Sequence, residues 1–438
     1  MTALAGAVTG GASAVATRKA LAVEPPADVF DFDTPYDRVG TNSVKYDRQI
    51  ERFGEKFKIG MGIADMDFRA APCITRALAE RCAHENWGYM NAPKSYIESI
   101  VQWNQRRYDL EIDPDSIEIA NGVHPALIGA LRTFTTPGTR VLMTPPIYSA
   151  FYSLDLRVTS TLPQNSPMLW NEGRYSIDWD YLESAITHDT NVLILCNPQN
   201  PTGNCWSKED LLRLGQLCLE RRVVVLSDEI HCDFVTKGNK YTPFASLSDK
   251  DVVNNSVTFK AASKSFSLAA MKTAYFFSTN PEFMERIKTN HRADINTLGV
   301  VANEAAYREG DAWLDQLLVY IDGNHDFAES YVRARIPLMS YTKPEGTYLG
   351  WLNVSKVLEK IGAEEIAAEE AKKQDPSEAP VTAEIVFERW LVEKSGVQLN
   401  PGSGYGPGGT GHMRMNIATS RQTLEAALDA IASAVASL

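Results

Sequence analysis

The sequence predicts an α/β protein, with a mostly parallel central sheet in a large domain and a smaller α/β C-terminal domain. Three observations carry this. From Ile117 onward, short apolar or β-branched runs alternate with helical stretches, the pattern of strands covered by helices on both faces. Asn200, Asp228 and Lys264 each follow closely on one of these runs, and open parallel sheets bind ligands at the carboxyl ends of their strands. Past residue 320 the alternation gives way to a long helical stretch, a new strand and a Gly-rich loop. With 438 residues and 44% hydrophobic composition the chain can bury a large core, and its length favours two or three domains.

Residues 1–26 read as a leader. Its first part is rich in Ala, Gly, Thr and Ser and closes with Ala20-Leu21-Ala22. This resembles the end of an export signal with an A-x-A cleavage site, although no charged segment precedes it. Two readings stand: a disordered leader on a cytoplasmic protein, or the remnant of a twin-arginine signal on a periplasmic one. Residues 27–70 read as an N-terminal arm. The large domain, 71–320, opens with a helix near 71–85, where Pro72 fits the first turn. A second helix follows at 97–108, with Trp103 on its apolar stripe. Strands are expected at 116–120, 140–143, 192–195, 223–226 and 256–259, with helices at 125–133, 180–186 and 208–220. Residues 283–310 and 313–334 read as helices, the second leading into the small domain, 321–438. There 348–354 is a strand, and 359–380 a charged surface insertion with a helix at 363–373. The stretch 402–411 is a Gly-rich loop, and 421–438 a closing helix.

The net charge of −12 and the lack of a long basic run argue against a nucleic-acid partner. Cys73, Cys82, Cys196, Cys205, Cys218 and Cys232 form no CxxC pair. Zinc and a disulfide framework are therefore disfavoured, and buried reduced thiols are expected. No metal site is expected, and no stretch has the length and apolarity of a membrane span.

The chemistry concentrates in Asn197-Pro198-Gln199-Asn200-Pro201-Thr202-Gly203, Ser227-Asp228-Glu229-Ile230-His231 and Ser263-Lys264-Ser265-Phe266. An Asn, an Asp and a Lys in this order and spacing resemble the core of fold-type I pyridoxal-5′-phosphate (PLP) enzymes, the class I/II aminotransferase superfamily. The resemblance implies the PLP-transferase type I fold, PLP as cofactor, and chemistry at an amino-acid α-carbon. It implies that Lys264 carries the cofactor and moves a proton, that Asp228 pairs with the pyridine nitrogen, and that Asn200 bonds the phenolic oxygen. A lysine in that role needs a lowered pKa, from desolvation and nearby positive charge. Taken alone, Asp228 also suits a helix cap and Asn200 a plain turn.

His231 stands where many relatives have Tyr. Contact with the phenolic oxygen and a structural imidazole under the cofactor are equal readings. Gly122, Val123 and His124 precede or open a helix whose N-terminus suits the phosphate, with the Ser263 hydroxyl beside it. Lys272 stands where many relatives place Arg, giving a point charge instead of a bidentate fork, and Ala270 replaces a usual Gly. Tyr148 matches the aromatic that stacks on the cofactor ring. Tyr89 resembles the tyrosine that crosses a dimer interface to the phosphate, which implies a homodimer with shared active sites. Arg414 resembles the arginine that grips the substrate carboxylate, a bidentate pairing that a guanidinium makes well.

Other stretches resemble one branch, the cystathionine β-lyase or C–S lyase enzymes of the MalY/PatB type. They are Phe30-Asp31-Phe32-Asp33, Ala64-Asp65-Met66-Asp67-Phe68, the run 227–231 and Gly346-Thr347-Tyr348-Leu349-Gly350-Trp351. The resemblance runs from about residue 28 to the C-terminus, with the charged insertion as the main departure. It implies a lyase cleaving L-cystathionine or a related cysteine S-conjugate to a thiol, pyruvate and ammonia. An aminotransferase would use the same residues with an oxo-acid acceptor. Another PLP reaction in a specialised pathway is left open by Ala270 and Lys272. A regulator that only binds a protein partner is disfavoured by the intact Asn200, Asp228 and Lys264.

Overall fold

The computed structural model describes residues 29–171, 173–375 and 377–438; the leader expected at 1–26 lies outside them. Seven strands form the main sheet. Across it they run Ile117–Ala120, Ala274–Phe277, Ser256–Lys260, Val224–Asp228, Thr190–Cys196, Arg140–Met143 and Leu162–Asn165. Ala274–Phe277 pairs antiparallel with both of its neighbours, and the remaining pairs are parallel. The fold is thus α/β with a mostly parallel sheet, as expected.

Alternation along the strands sorts side chains onto two faces. Val141, Met143, Val192, Ile194, Cys196 and Leu226 pack with Ala126, Leu127 and Ala130 of the helix Val123–Phe134. Their neighbours Leu142, Leu193, Leu195 and Val225 pack on the other face, with Leu211, Leu214 and Cys218 of the helix Lys208–Glu220. Both faces are therefore covered, which is why the strands read as nearly continuous apolar runs.

The sequence merged two helices. Residues expected as one helix at 283–310 form Pro281–Asn290 and Thr297–Glu309. The second start is a real one: the Asn296 side chain accepts from the N–H groups of Leu298 and Gly299, satisfying donors that a new helix would otherwise leave unpaired. The long helix Asp311–Arg335 buries Trp313, Leu314, Leu317, Ile321, Ala328 and Val332. It meets the second sheet's exit through Asn324, which donates to the carbonyls of Ile417 and Thr419.

That second sheet is antiparallel, in the order Ser340–Tyr341, Leu349–Asn353, His412–Asn416, Asn400–Pro401. The charged insertion is more anchored than its polarity implied. Its helix Ala363–Ala371 buries Ala363 and Ala367 in the same cluster as Val386, Phe387 and Leu391 of the helix Ala383–Ser395. Five cysteines are buried as expected, whereas Cys82 is exposed. Among the described residues no helix is long and apolar enough to cross a membrane.

Candidate active site

The strands Thr190–Cys196, Val224–Asp228 and Ser256–Lys260 end side by side, with Cys196 opposite Asp228 and Asp228 opposite Phe259. Beyond these ends the chain turns into a cavity of about 450 Å³, a size typical of small-molecule sites. Asn200, Asp228 and Lys264 line it, together with His231, Tyr148, Ser263, Lys272 and the turn Gly122, Val123, His124.

Arg414 adjoins this wall without lining it. It is 2% exposed and donates to Asn200 Oδ1 at 3.1 Å and to the Gly62 carbonyl at 2.8 Å. Its Nε is buried without a partner among the described residues. Tyr89 stands apart: it is fully exposed, in a stretch between the helices Pro72–Ala83 and Lys94–Tyr108.

The electrostatics suit a cofactor of mixed charge. Burial and then the Arg414 charge lower the Lys264 pKa to about 8, with Asp65 and Asp228 opposing. A neutral amine is thus accessible near physiological pH. Its Nζ donates to the Ala64 carbonyl at 2.8 Å, and the Tyr348 hydroxyl donates to the same oxygen at 2.9 Å. Burial raises Asp228 to about 6, opposed by the Ile230 N–H and by His124. A cationic ring nitrogen against this carboxylate would bring it back down. Burial pushes His231 well below its usual value, helped by Lys264 and Arg414, so its imidazole is neutral. It meets the Tyr348 ring edge-on at 5.8 Å, while its Nδ1 is buried with no partner among the described residues. The packing suits the structural reading, and the orphaned nitrogen leaves room for the other.

These groups fit PLP piece by piece. The phosphate has the start of the twelve-residue helix Val123–Phe134, where N–H groups lack intrahelical partners, and Ser263 and Lys272 line the same cavity. Gly122, with φ of 123°, makes a turn into that helix that a side chain would resist. Asp228, in the same cavity, could face the ring nitrogen. For the phenolic oxygen there is Asn200, whose Oδ1 is engaged by Arg414, leaving its amide N–H groups as the free end. Tyr148 offers its ring, and Lys264 its amine.

Sequence reasoning missed Tyr348 and Ala64 as site residues, though both stand in quoted motifs. Ala64 acts through its carbonyl, so its side chain carries no signal. Asp155, whose carboxylate meets His124 Nδ1 at 2.8 Å, had no sequence signal at all.

Comparison with known proteins bears on most of the chain. Residues 56–431 match the family described as aminotransferase class I and II. A cystathionine β-lyase of Bacillus subtilis (strain 168), PatB, is 38% identical over 410 residues, covering 92% of this chain and 100% of the relative. Cystalysin from Treponema denticola, whose crystal structure contains pyridoxal 5′-phosphate, superposes with a TM-score of 0.83 at 27% identity, covering 94% of this chain and 100% of that one. A PLP-bound C–S lyase from Staphylococcus hominis gives a TM-score of 0.81 at 28% identity, with 93% and 99% covered.

Proposed function

The chain belongs to the aminotransferase class I and II family, and from that premise we propose that it is a PLP-dependent carbon–sulfur β-lyase. Its substrate is L-cystathionine or a related cysteine S-conjugate, cleaved to a thiol, pyruvate and ammonia. The observation that carries the reading is the Lys264 amine, its pKa lowered to about 8, in one cavity with Asp228 and Asn200. The match to a cystathionine β-lyase over 92% of the chain supports the lyase branch.

When bound, PLP supplies an electron sink for the pair left at the α-carbon once its proton is removed. The chain's own residues do the rest. Arg414 fixes the substrate carboxylate with guanidinium N–H groups that Asn200 and Gly62 leave free. Neutral Lys264 takes the α-proton, held in aim by the Ala64 carbonyl. The Tyr348 hydroxyl shares that carbonyl and so buttresses it. Asp228 holds the ring nitrogen protonated, and Asn200 ties the carboxylate-binding arginine to the cofactor wall. The carbon–sulfur bond then breaks with its electron pair leaving on sulfur. Positioning and preorganised charge supply the acceleration. Tyr89, exposed here, serves the phosphate of a second copy in a homodimer.

The test is product analysis with L-cystathionine and no oxo acid. Equal amounts of pyruvate and free thiol support the lyase. A visible cofactor band that bleaches without pyruvate, and returns on adding an oxo acid, would make the protein an aminotransferase.

A further inference from the structure

Asp155 has no exposure to solvent, and the reaction proposed above does not use it. It sits in the π-helical turn Phe151–Leu156, whose neighbour Leu154 is exposed at the mouth of the cavity. Such turns carry an extra residue and re-aim side chains, often at functional sites. Here both carboxylate oxygens of Asp155 meet one group, Nδ1 of His124, at 2.8 and 3.1 Å.

His124 lies in the first turn of the helix Val123–Phe134 and lines the cavity with Ser263 and Lys272. Its ring is 5.7 Å from that of Tyr148 and 6.5 Å from that of Phe151. A fully buried carboxylate is costly unless a positive or donating group faces it. Nδ1–H of His124 is that group, which leaves the other edge of the imidazole unconstrained by Asp155.

The proton balance agrees with the geometry. Burial pushes His124 down, but the Asp155 hydrogen bond and charge outweigh it, so the net direction is up. Asp228 also favours the proton, and Lys264 opposes it. Burial pushes Asp155 itself up, and His124 holds it back. The hydrogen bond and charge of Asp155 thus favour a proton on the imidazole.

We propose that Asp155 holds a proton on His124, its own charge balanced by Nδ1–H, so that the opposite edge of the imidazolium offers Nε2–H as a charged donor to the phosphate of the cofactor alongside Lys272. Asp155 is a positioning residue that acts through His124, and the His124 donor adds to Lys272, which lacks the fork of a guanidinium. The inference rests on the reading that this cavity takes PLP.

The test uses the full chain and reads cofactor binding, not turnover. PLP affinity and the phosphorus resonance of the bound phosphate are followed from about pH 5 to 10, a range that spans the ordinary histidine value and what lies above it. The Lys264 titration near 8 is common to all variants, so affinities are compared at each pH: the advantage of the unaltered protein over Asp155→Asn shrinks as pH rises through the His124 pKa, because the charge on the imidazole is lost. Asp155→Asn lets burial dominate, so the charged donor is lost and binding is ~10-fold weaker near neutrality, the order expected for one hydrogen bond to a charged group. In that variant the loss of the imidazole charge also moves to lower pH, and the phosphorus resonance shifts. His124→Asn binds weakly at all pH values in the window, and stands in for Asp155→Asn should that variant not fold. Variants that keep their fold and melting temperature, yet match the unaltered protein in affinity and pH profile, would overturn the proposal. An unaltered protein that binds no PLP at all would instead overturn the cofactor reading beneath it.

Discussion

Arg414 shows how much of a residue's role is geometry. Its side chain is buried, stands 5.2 Å from the Tyr405 ring and spends one N–H on Asn200 and another on Gly62. A fork is needed to make those bonds and grip a carboxylate as well. Arg414→Lys is therefore expected to raise KM for the amino-acid substrate by about 10- to 100-fold, with a smaller change in kcat, since the lost contact exists before the reaction begins. Steady-state kinetics measure this, and an unchanged KM would remove Arg414 from the substrate's carboxylate. At this scale the sequence was readable where side-chain chemistry marks the candidate: Lys264, Asp228 and Asn200, chosen by type and spacing, line one cavity, and Arg414 bonds to Asn200. It was unreadable where packing confers the role, as for the Ala64 carbonyl or the inward turn of Asp155.

The segment around Gly62 ties the elements together. Met61 N–H bonds the Gln398 carbonyl, and Asn416 N–H bonds the Met61 carbonyl. The Asn416 side chain holds the carbonyls of Ile63 and Asp65 at 2.7 and 2.6 Å, and Met66 N–H reaches the Ser267 hydroxyl at 3.1 Å. One short stretch thus bridges the strand carrying Arg414 and the turn that follows the short helix Ala262–Ser265 carrying Lys264. Gly62 is required there for closeness: a Cβ would overlap the side-chain amides of Gln398 and Asn400. Gly62→Ala is expected to cost about 1–3 kcal/mol by overpacking and to displace the carbonyl that Arg414 holds. Thermal or denaturant unfolding together with KM measures both. A variant with native stability and native KM would show that the contact gives way freely. Four of the parallel strands were legible because burial on both faces makes them largely apolar, whereas the edge strand Leu162–Asn165, exposed or half-buried along its length, was missed. Ala274–Phe277 is as apolar as they are, but it follows the lysine motif closely and was passed over. The break between Asn290 and Thr297 was hidden because apolar spacing continues on both sides, and only the Asn296 cap marks it.

At the scale of the whole molecule, the proposed homodimer has exposed apolar groups to cover. Tyr89 is fully exposed, and Trp87, Leu154, Val158 and Leu162 are each more than a third exposed; Leu154 also lies at the cavity mouth. If Tyr89 completes the partner's cavity, Lys264→Ala and Tyr89→Ala are each impaired alone but complement when mixed. A mixed dimer keeps one site with both residues intact, so random reassociation restores up to roughly a quarter of full activity. Mixtures no more active than their parts would place Tyr89 outside the site. The central claim is narrower: three strand ends converge so that Lys264, and no other lysine, carries the cofactor. Borohydride fixes a carbonyl cofactor to the amine that bears it, and peptide mass mapping then finds the site. The account predicts modification at Lys264, with attachment to cofactor-free protein accelerating as pH rises through about 8, where this amine loses its proton. Cofactor fixed at Lys272 or Lys260, or at no lysine, would contradict it.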